Sequence, residues 1–218
     1  MRTLEAKVGG YRNGVLIVSA PLADEWELIK KDIKTCEVVL RDGREITADQ
    51  RKKIYATLRD ISAWSGHDPE ELKGHFKAEY VARTGDRWFS LSDVDMTTAS
   101  RFLEMLIEFC LQWDIPIEGD SLAERSPDIA RYVYLCLVHK KCCVTGKRAE
   151  LHHVDRVGMG RDRKEIVHLG YRVMPLSRKM HTEAHTIGQK SFEEKYHLFG
   201  VKLDESLCKI WNVKGENV

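Results

Sequence analysis

Residues 150–188 read ELHHVDRVGMGRDRKEIVHLGYRVMPLSRKMHTEAHTIG, and their spacing decides the fold of the C-terminal half. His181 and His185 stand four apart, so a helix through them projects both imidazoles from one face. His152 and His153 are adjacent in ELHHV, a strand pattern in which successive side chains point to opposite faces. Between the pairs lies the glycine-punctuated stretch VGMGRDRKE, then YRVMPL, a short strand that feeds the histidine-bearing helix. Strand, loop, strand, helix is the order this stretch predicts. Such a layout aims three histidines at one cation and leaves the fourth facing elsewhere. A structural zinc site would instead use four protein ligands with no open position. The competing reading is structural: a helix-surface pair of solvated histidines and a strand that packs two more.

Working outward, IARYVYLCLVHKKC (129–142) predicts a short helix, and Thr145-Gly146 a turn before the first strand. Toward the N-terminus, GVLIVSAP (14–21) reads as a strand, and CEVVLRDGREIT (36–47) as a hairpin turned at Asp42-Gly43. A helix opens at Thr47, with Ile54, Leu58, Ile61 and Trp64 at helical spacing and Gly66 as its stop. A second starts at Asp68-Pro69 and ends before Gly85. A third carries the stripe Ala99, Phe102, Leu103, Leu106 and Phe109-Cys110. EGDSLAERSPD (118–128) reads as a linker. The expected architecture is α+β: a small unit over 1–117, a linker over 118–128 and a histidine-rich unit over 129–218.

Seven of the nine histidines fall between His139 and His197. His139 and His197 read as packed or solvated, the latter at the end of the helix FEEKYHLFG. Residues 127–218 hold 17 Lys/Arg against 11 Asp/Glu, whereas residues 1–126 hold 18 against 23. A basic half joined to an acidic one suggests that the basic half faces a polyanion, although a chance surface bias gives the same count. Arg156, Arg161, Arg163, Lys164 and Arg172 surround the histidines in sequence and suit phosphate oxygens. Gly158 and Gly160 would let a strand approach the loop backbone. Solvated charges on an exposed loop are the alternative. Nothing here reads base sequence, so weakly selective or structure-selective recognition is expected.

Cys36 and Cys110 lie in apolar stretches and read as reduced core thiols, and Cys143 as core rather than ligand. No apolar run has the roughly 20 residues a spanning helix needs. MRTLEAKVGGYRNG lacks a secretory pattern, so a cytoplasmic protein without membrane contact is expected.

LHHVD, the glycine loop and MHTEAH together resemble the HNH (ββα-metal) endonucleases, which include phage and colicin DNases. Residues 143–197 are similar to the HNH nucleases encoded in phage recombination modules. The resemblance implies that His152, His181 and His185 hold a divalent metal and that His153 is the general base. The position that is usually asparagine falls near His168, a departure that an imidazole can accommodate by hydrogen bonding. The two CxxC pairs of many relatives are missing, so no zinc ribbon is expected. Family practice points to Mg²⁺ or Mn²⁺; the softness of three imidazoles points instead to Zn²⁺, Ni²⁺ or Mn²⁺. Asp155 is a further candidate oxygen ligand, or a cap for the following loop.

REITADQRKKIYATLRDIS, FKAEYV and FSLSDVDMTTASRFLEMLIEF, within residues 35–115, resemble the NinB/Orf recombination proteins of lambdoid phages, chiefly through Asp49, Gln50, Arg51 and Lys52. That resemblance implies binding to single-stranded or branched DNA, contact with single-strand-binding protein, and a homodimer. A helical scaffold is the alternative, and the acidic charge of this half fits bare DNA poorly. Three functions compete: a metal-dependent DNA endonuclease in phage recombination or replication, a non-cleaving recombination mediator, and a metal-stapled structural domain.

Overall fold

A computed structural model describes residues 6–21, 26–30, 36, 38, 40, 43–155 and 167–215. The elements run β1 (Lys7–Arg12), β2 (Val15–Ser19), α1 (Trp26–Lys30), α2 (Ala48–Ser65), α3 (Pro69–Thr84), α4 (Met96–Trp113), α5 (Leu122–Arg125) and α6 (Ile129–Val138). They continue with β3 (Glu150–His153), β4 (Arg172–Leu176), α7 (Arg178–Ile187), α8 (Gln189–Tyr196), β5 (Val201–Lys202) and α9 (Glu205–Trp211). The class is α+β, as the sequence implies. Among the described residues no helix is long and apolar enough to cross a membrane.

Local chemistry sets the helix ends. Thr47 caps α2: its hydroxyl accepts from the Gln50 amide at 3.1 Å, and the Gln50 side chain accepts from the Thr47 amide at 3.0 Å. This reciprocal box satisfies two amides that the first helical turn leaves free. Gly66 closes the helix at φ 77°, a conformation that a side chain would resist. Asp68 caps α3 ahead of Pro69, and Asp95 caps α4 through the Thr98 amide.

Helices α2, α3 and α4 pack around Ile54, Leu58, Phe76, Tyr80, Phe102 and Leu106, all buried. Tyr80, Phe89 and Phe102 meet edge to face at 5.4 to 6.0 Å. The core then runs through α6, where Val133 and Leu137 are fully buried, to Val173, Met174 and Leu176 of β4. The apolar stripe of α4 is therefore as expected, save that Phe109 is only partly buried.

The second arm of the expected 36–47 hairpin pairs elsewhere. Glu45 bridges Asp95, with the Ile46 amide donating to the Val94 carbonyl and the Met96 amide to the Arg44 carbonyl. The described residues of the first arm, Cys36, Val38 and Leu40, are exposed and in no strand; Arg41 and Asp42 of the turn lie outside the described residues. A two-stranded ribbon with no face to bury is marginal, whereas Arg44–Ile46 gain partners at the start of α4. Cys36 is thus not the core thiol expected from its apolar neighbours, while Cys110 and Cys143 are buried. Burial pushes the Cys110 thiol up to about 12 and that of Cys143 well above its usual range.

The segment 118–128 contains α5, whose Arg125 is only 2% exposed. Its guanidinium donates to Asp60 at 2.6 Å and to Thr57 at 3.3 Å on α2, and to the Glu118 carbonyl at 2.6 Å. The core is continuous across this segment.

The second sheet is antiparallel in the order β3-β4-β5, with His152 opposite Met174 and His153 opposite Val173. Gly200, just before β5, sits so close that a Cβ there would lie 2.6 Å from a Val154 methyl and 3.2 Å from the Val173 carbonyl oxygen.

Removing one half of the buried Arg125–Asp60 pair strands a charge away from water. Arg125→Met is expected to cost about 3–5 kcal/mol in urea denaturation, and the double variant with Asp60→Leu to recover most of it. A single variant as stable as the parent would show that this pair does not secure the 118–128 segment.

Candidate metal centre

β3 and α7 supply the histidines. Along β3, Glu150 and His152 face one side and His153 the other, as strand alternation requires. His152 is 3% exposed. On α7 the four-residue spacing stacks His181 and His185, their rings 4.9 Å apart. The His152 ring lies 4.7 Å from that of His181 and 5.1 Å from that of His185. One nitrogen from each of the three lies within 4.8 Å of the others, so this triad could hold a metal ion.

Outer partners assign the nitrogens. Nε2 of His152 sits 2.9 Å from Oε1 of Gln189, whose amide nitrogen donates to Glu193 at 2.9 Å. The amide is thereby oriented with its oxygen toward the imidazole, which makes Nε2 the protonated nitrogen. Nδ1 of His152 is buried and has no hydrogen-bond partner among the described residues. A buried acceptor without a donor is costly unless a cation completes it, so the residues fit a metal. His181 repeats the arrangement: its Nδ1 is 3.1 Å from Glu150, leaving Nε2 for an ion. Hydrogen bonds from His181 and then Arg178 hold the Glu150 carboxyl below its usual range. Burial, and after it the neighbouring imidazoles, lower the His152 pKa and favour the neutral form that ligates.

His153 lies on the other face, with Nε2 2.9 Å from Nδ1 of His168 and the rings 5.0 Å apart. Burial first, then His168, push its pKa down to about 4, so this imidazole is neutral near pH 7. His168 reaches it from the segment before β4, anchored by its amide to the Lys214 carbonyl. The structure therefore brings His152, His181 and His185 into one cluster and His153 and His168 into a second.

Asp155 is not placed as a ligand. Its carboxylate accepts from the Arg172 amide at 2.8 Å and from the guanidinium at 3.0 and 2.8 Å, which engages both oxygens. Arg172 is correspondingly tied down at the edge of the site, with its side chain half exposed. Arg156, Arg161, Arg163 and Lys164, with Gly158 and Gly160, lie outside the described residues. His197 is an exposed helix cap, and His139 faces Glu108 at 3.7 Å.

Gln189, Glu193 and Glu150 were missed in sequence. Glu150 was legible, because it stands two residues before His152 on the same face of a strand. Gln189 follows the break at Gly188 and opens a new helix, so no periodic signal tied it to His152.

Comparison with known proteins gives one family. The family model described as "Putative HNHc nuclease" matches residues 23–215, which spans both halves and the segment between them. Neither the curated proteins nor the solved structures contain a match. The match carries through the histidine cluster and most of the chain, and the protein belongs to the HNHc nuclease family.

Proposed function

We propose that this protein is a divalent-metal-dependent DNA endonuclease that hydrolyses phosphodiester bonds. One observation carries the reading: His152, clustered with His181 and His185 of α7, and His153, outside that cluster and paired with His168, stand back to back on one strand. A divalent cation held by His152, His181 and His185 would supply Lewis acidity to a phosphate oxygen and to the leaving oxygen. The side chains do the remainder. If His153 donates its Nε2–H to His168, its Nδ1 lone pair is left to take a proton from water. His168 then fixes the ring, in the role that the family gives to asparagine. Gln189 and Glu150 hold His152 and His181 in the tautomers that ligate. Arg172, and the loop arginines before it, would position the strand through its phosphates.

The histidine-bearing unit, residues 129–218, carries the chemistry in this reading, with residues 1–117 as a strand-recruiting or dimerising region. A setting in phage recombination, with single-strand-binding protein as partner, follows from the sequence resemblance. A mediator that grips DNA without cutting would have no use for a free imidazole beside the triad, which favours cleavage.

The reading is tested with plasmid, single-stranded and branched DNA in Mg²⁺, Mn²⁺, Zn²⁺, Ni²⁺ or EDTA. Metal-dependent cutting of at least one substrate is expected, and its absence from all of them would leave the mediator. His153→Ala is expected to slow cutting by about 100-fold or more while leaving metal affinity unchanged in calorimetric titration; normal cutting would remove His153 as the base. His185→Ala should weaken metal binding and cutting together, and unchanged affinity would rule it out as a ligand. Gln189→Leu should lower metal affinity roughly 10–100-fold, with Gln189→Glu, which keeps an acceptor, close to the parent. Equal affinities for both variants would sink the tautomer argument.

A further inference from the structure

A second polar site lies in the other half of the chain, between α2, α3 and the loop before α4. It is a pocket of about 270 Å³ lined by Arg51, Tyr55, Lys73, Lys77, Ser90 and Ser92. Three of these are cations, and the carboxylate of Glu70 beside them is already paired with Lys73. Arg51 spends Nε and one terminal nitrogen on the Leu91 and Ser92 carbonyls at 2.8 and 2.7 Å, which leaves its other terminal nitrogen. Those bonds also fix the loop that carries the two serines, whose hydroxyls lie 2.9 Å apart.

Lys77 is the unusual member. It is only 7% exposed, yet among the described residues its ammonium has no carboxylate and no hydrogen-bond acceptor. Its neighbours are rings: Trp88 and Phe89, each 5.0 Å from Nζ. A lysine packed along its stem, with its ammonium against two rings and beside Lys73, gains from an anion that completes it. Burial, and then Lys73, lower its pKa, and an anion in the pocket would offset both effects. Trp88 beside it is 62% exposed, a large ring left facing water.

We propose that this pocket binds a backbone phosphate of a single-stranded nucleic acid, with Lys77 and Arg51 on the phosphate and Trp88 as the surface on which an adjacent base stacks. Cation plus exposed aromatic ring is the pairing that sequence-tolerant strand binding uses. A duplex keeps its bases stacked internally and cannot use Trp88. The choice of nucleic acid rests on the nuclease reading above; the cationic pocket does not.

The test is fluorescence anisotropy with a labelled 20-nucleotide single strand and the matching duplex, using full-length protein in EDTA so that cutting plays no part. Lys77→Met keeps the stem and removes the charge. It is expected to weaken single-strand binding roughly 3–10-fold and to flatten the slope of log affinity against log salt by about 0.7, the share of one phosphate contact on a single strand. Trp88→Leu is expected to weaken single-strand binding about fivefold or more, with duplex affinity changed less than about twofold. Thermal melts accompany both variants, and Lys77→Arg should restore binding. If either Lys77→Met or Trp88→Leu binds the single strand as the parent does, or if Lys209→Met on distant α9 loses as much as Lys77→Met, the pocket is not the site. Failure to cut DNA under any metal would sink the nuclease reading and leave this binding result standing.

Discussion

Everything at the metal centre depends on which face of β3 each side chain occupies. Strand alternation has a period of two, so a slip of one residue would exchange the two histidines and turn Glu150 away from His181. The pairing with β4 resists such a slip on several counts. Val173 through Leu176 are buried on both faces, so a slip would draw the exposed Arg172 into the core. Beyond the strand end, the Val154 amide donates to the Arg172 carbonyl, and Asp155 grips both the backbone and the side chain of Arg172. Gly200 closes the arrangement from the other side, packed so tightly on Val154 and Val173 that no side chain fits there. Asp155, a candidate ligand by type, thus acts as a register clamp on Arg172.

With the faces fixed, chemistry is set by the partners of the imidazoles rather than by the imidazoles themselves. A neutral histidine offers one donor and one acceptor, and a carboxylate or amide oxygen behind the ring decides which nitrogen is which. Glu150 does this for His181. For His152 the decision is passed along a chain from Glu193 to Gln189 to the ring, and it leaves a buried lone pair with no donor among the described residues. Within the cluster, buried His152 disfavours protonation, through burial first and then the neighbouring imidazoles. His153 differs in kind: its partner is another imidazole, which can donate or accept and so can follow a change in its protonation.

What could be read from the sequence was local. Thr47 with Gln50, Asp68 with Pro69, and Gly66 fix helix ends through atoms a few residues apart, and those ends fall where the sequence puts them. The i, i+4 pair and the adjacent pair of histidines are local as well, so the cluster was legible once a helix and a strand were assigned. Relations that need the chain to return were not. The hairpin signal at Asp42-Gly43 gave no hint of the bridge from Glu45 to Asp95, which lies far along the chain. Apolar neighbours misled for Cys36, because its segment has no described core to join. A polar run rich in turn formers looked like a linker, yet it contains Arg125, which α2 captures from 65 residues away in sequence.

Regional charge misleads for a related reason. The N-terminal half carries a net negative count, which argues against attraction to a polyanion over distances longer than the roughly 10 Å screening length of salt water. Recognition at contact is decided inside that length, by which charges already have partners. Asp60 is committed to Arg125, Glu70 to Lys73 and Glu79 to Arg83, so at contact these carboxylates repel an anion less than their number implies. Lys77 has no ion pair or hydrogen bond among the described residues; it rests against Trp88 and Phe89, and Glu70 acts on it only through space. On the readings proposed above, a basic half and an acidic half would address the same anionic strand, the first through its overall field and the second through contacts in one pocket.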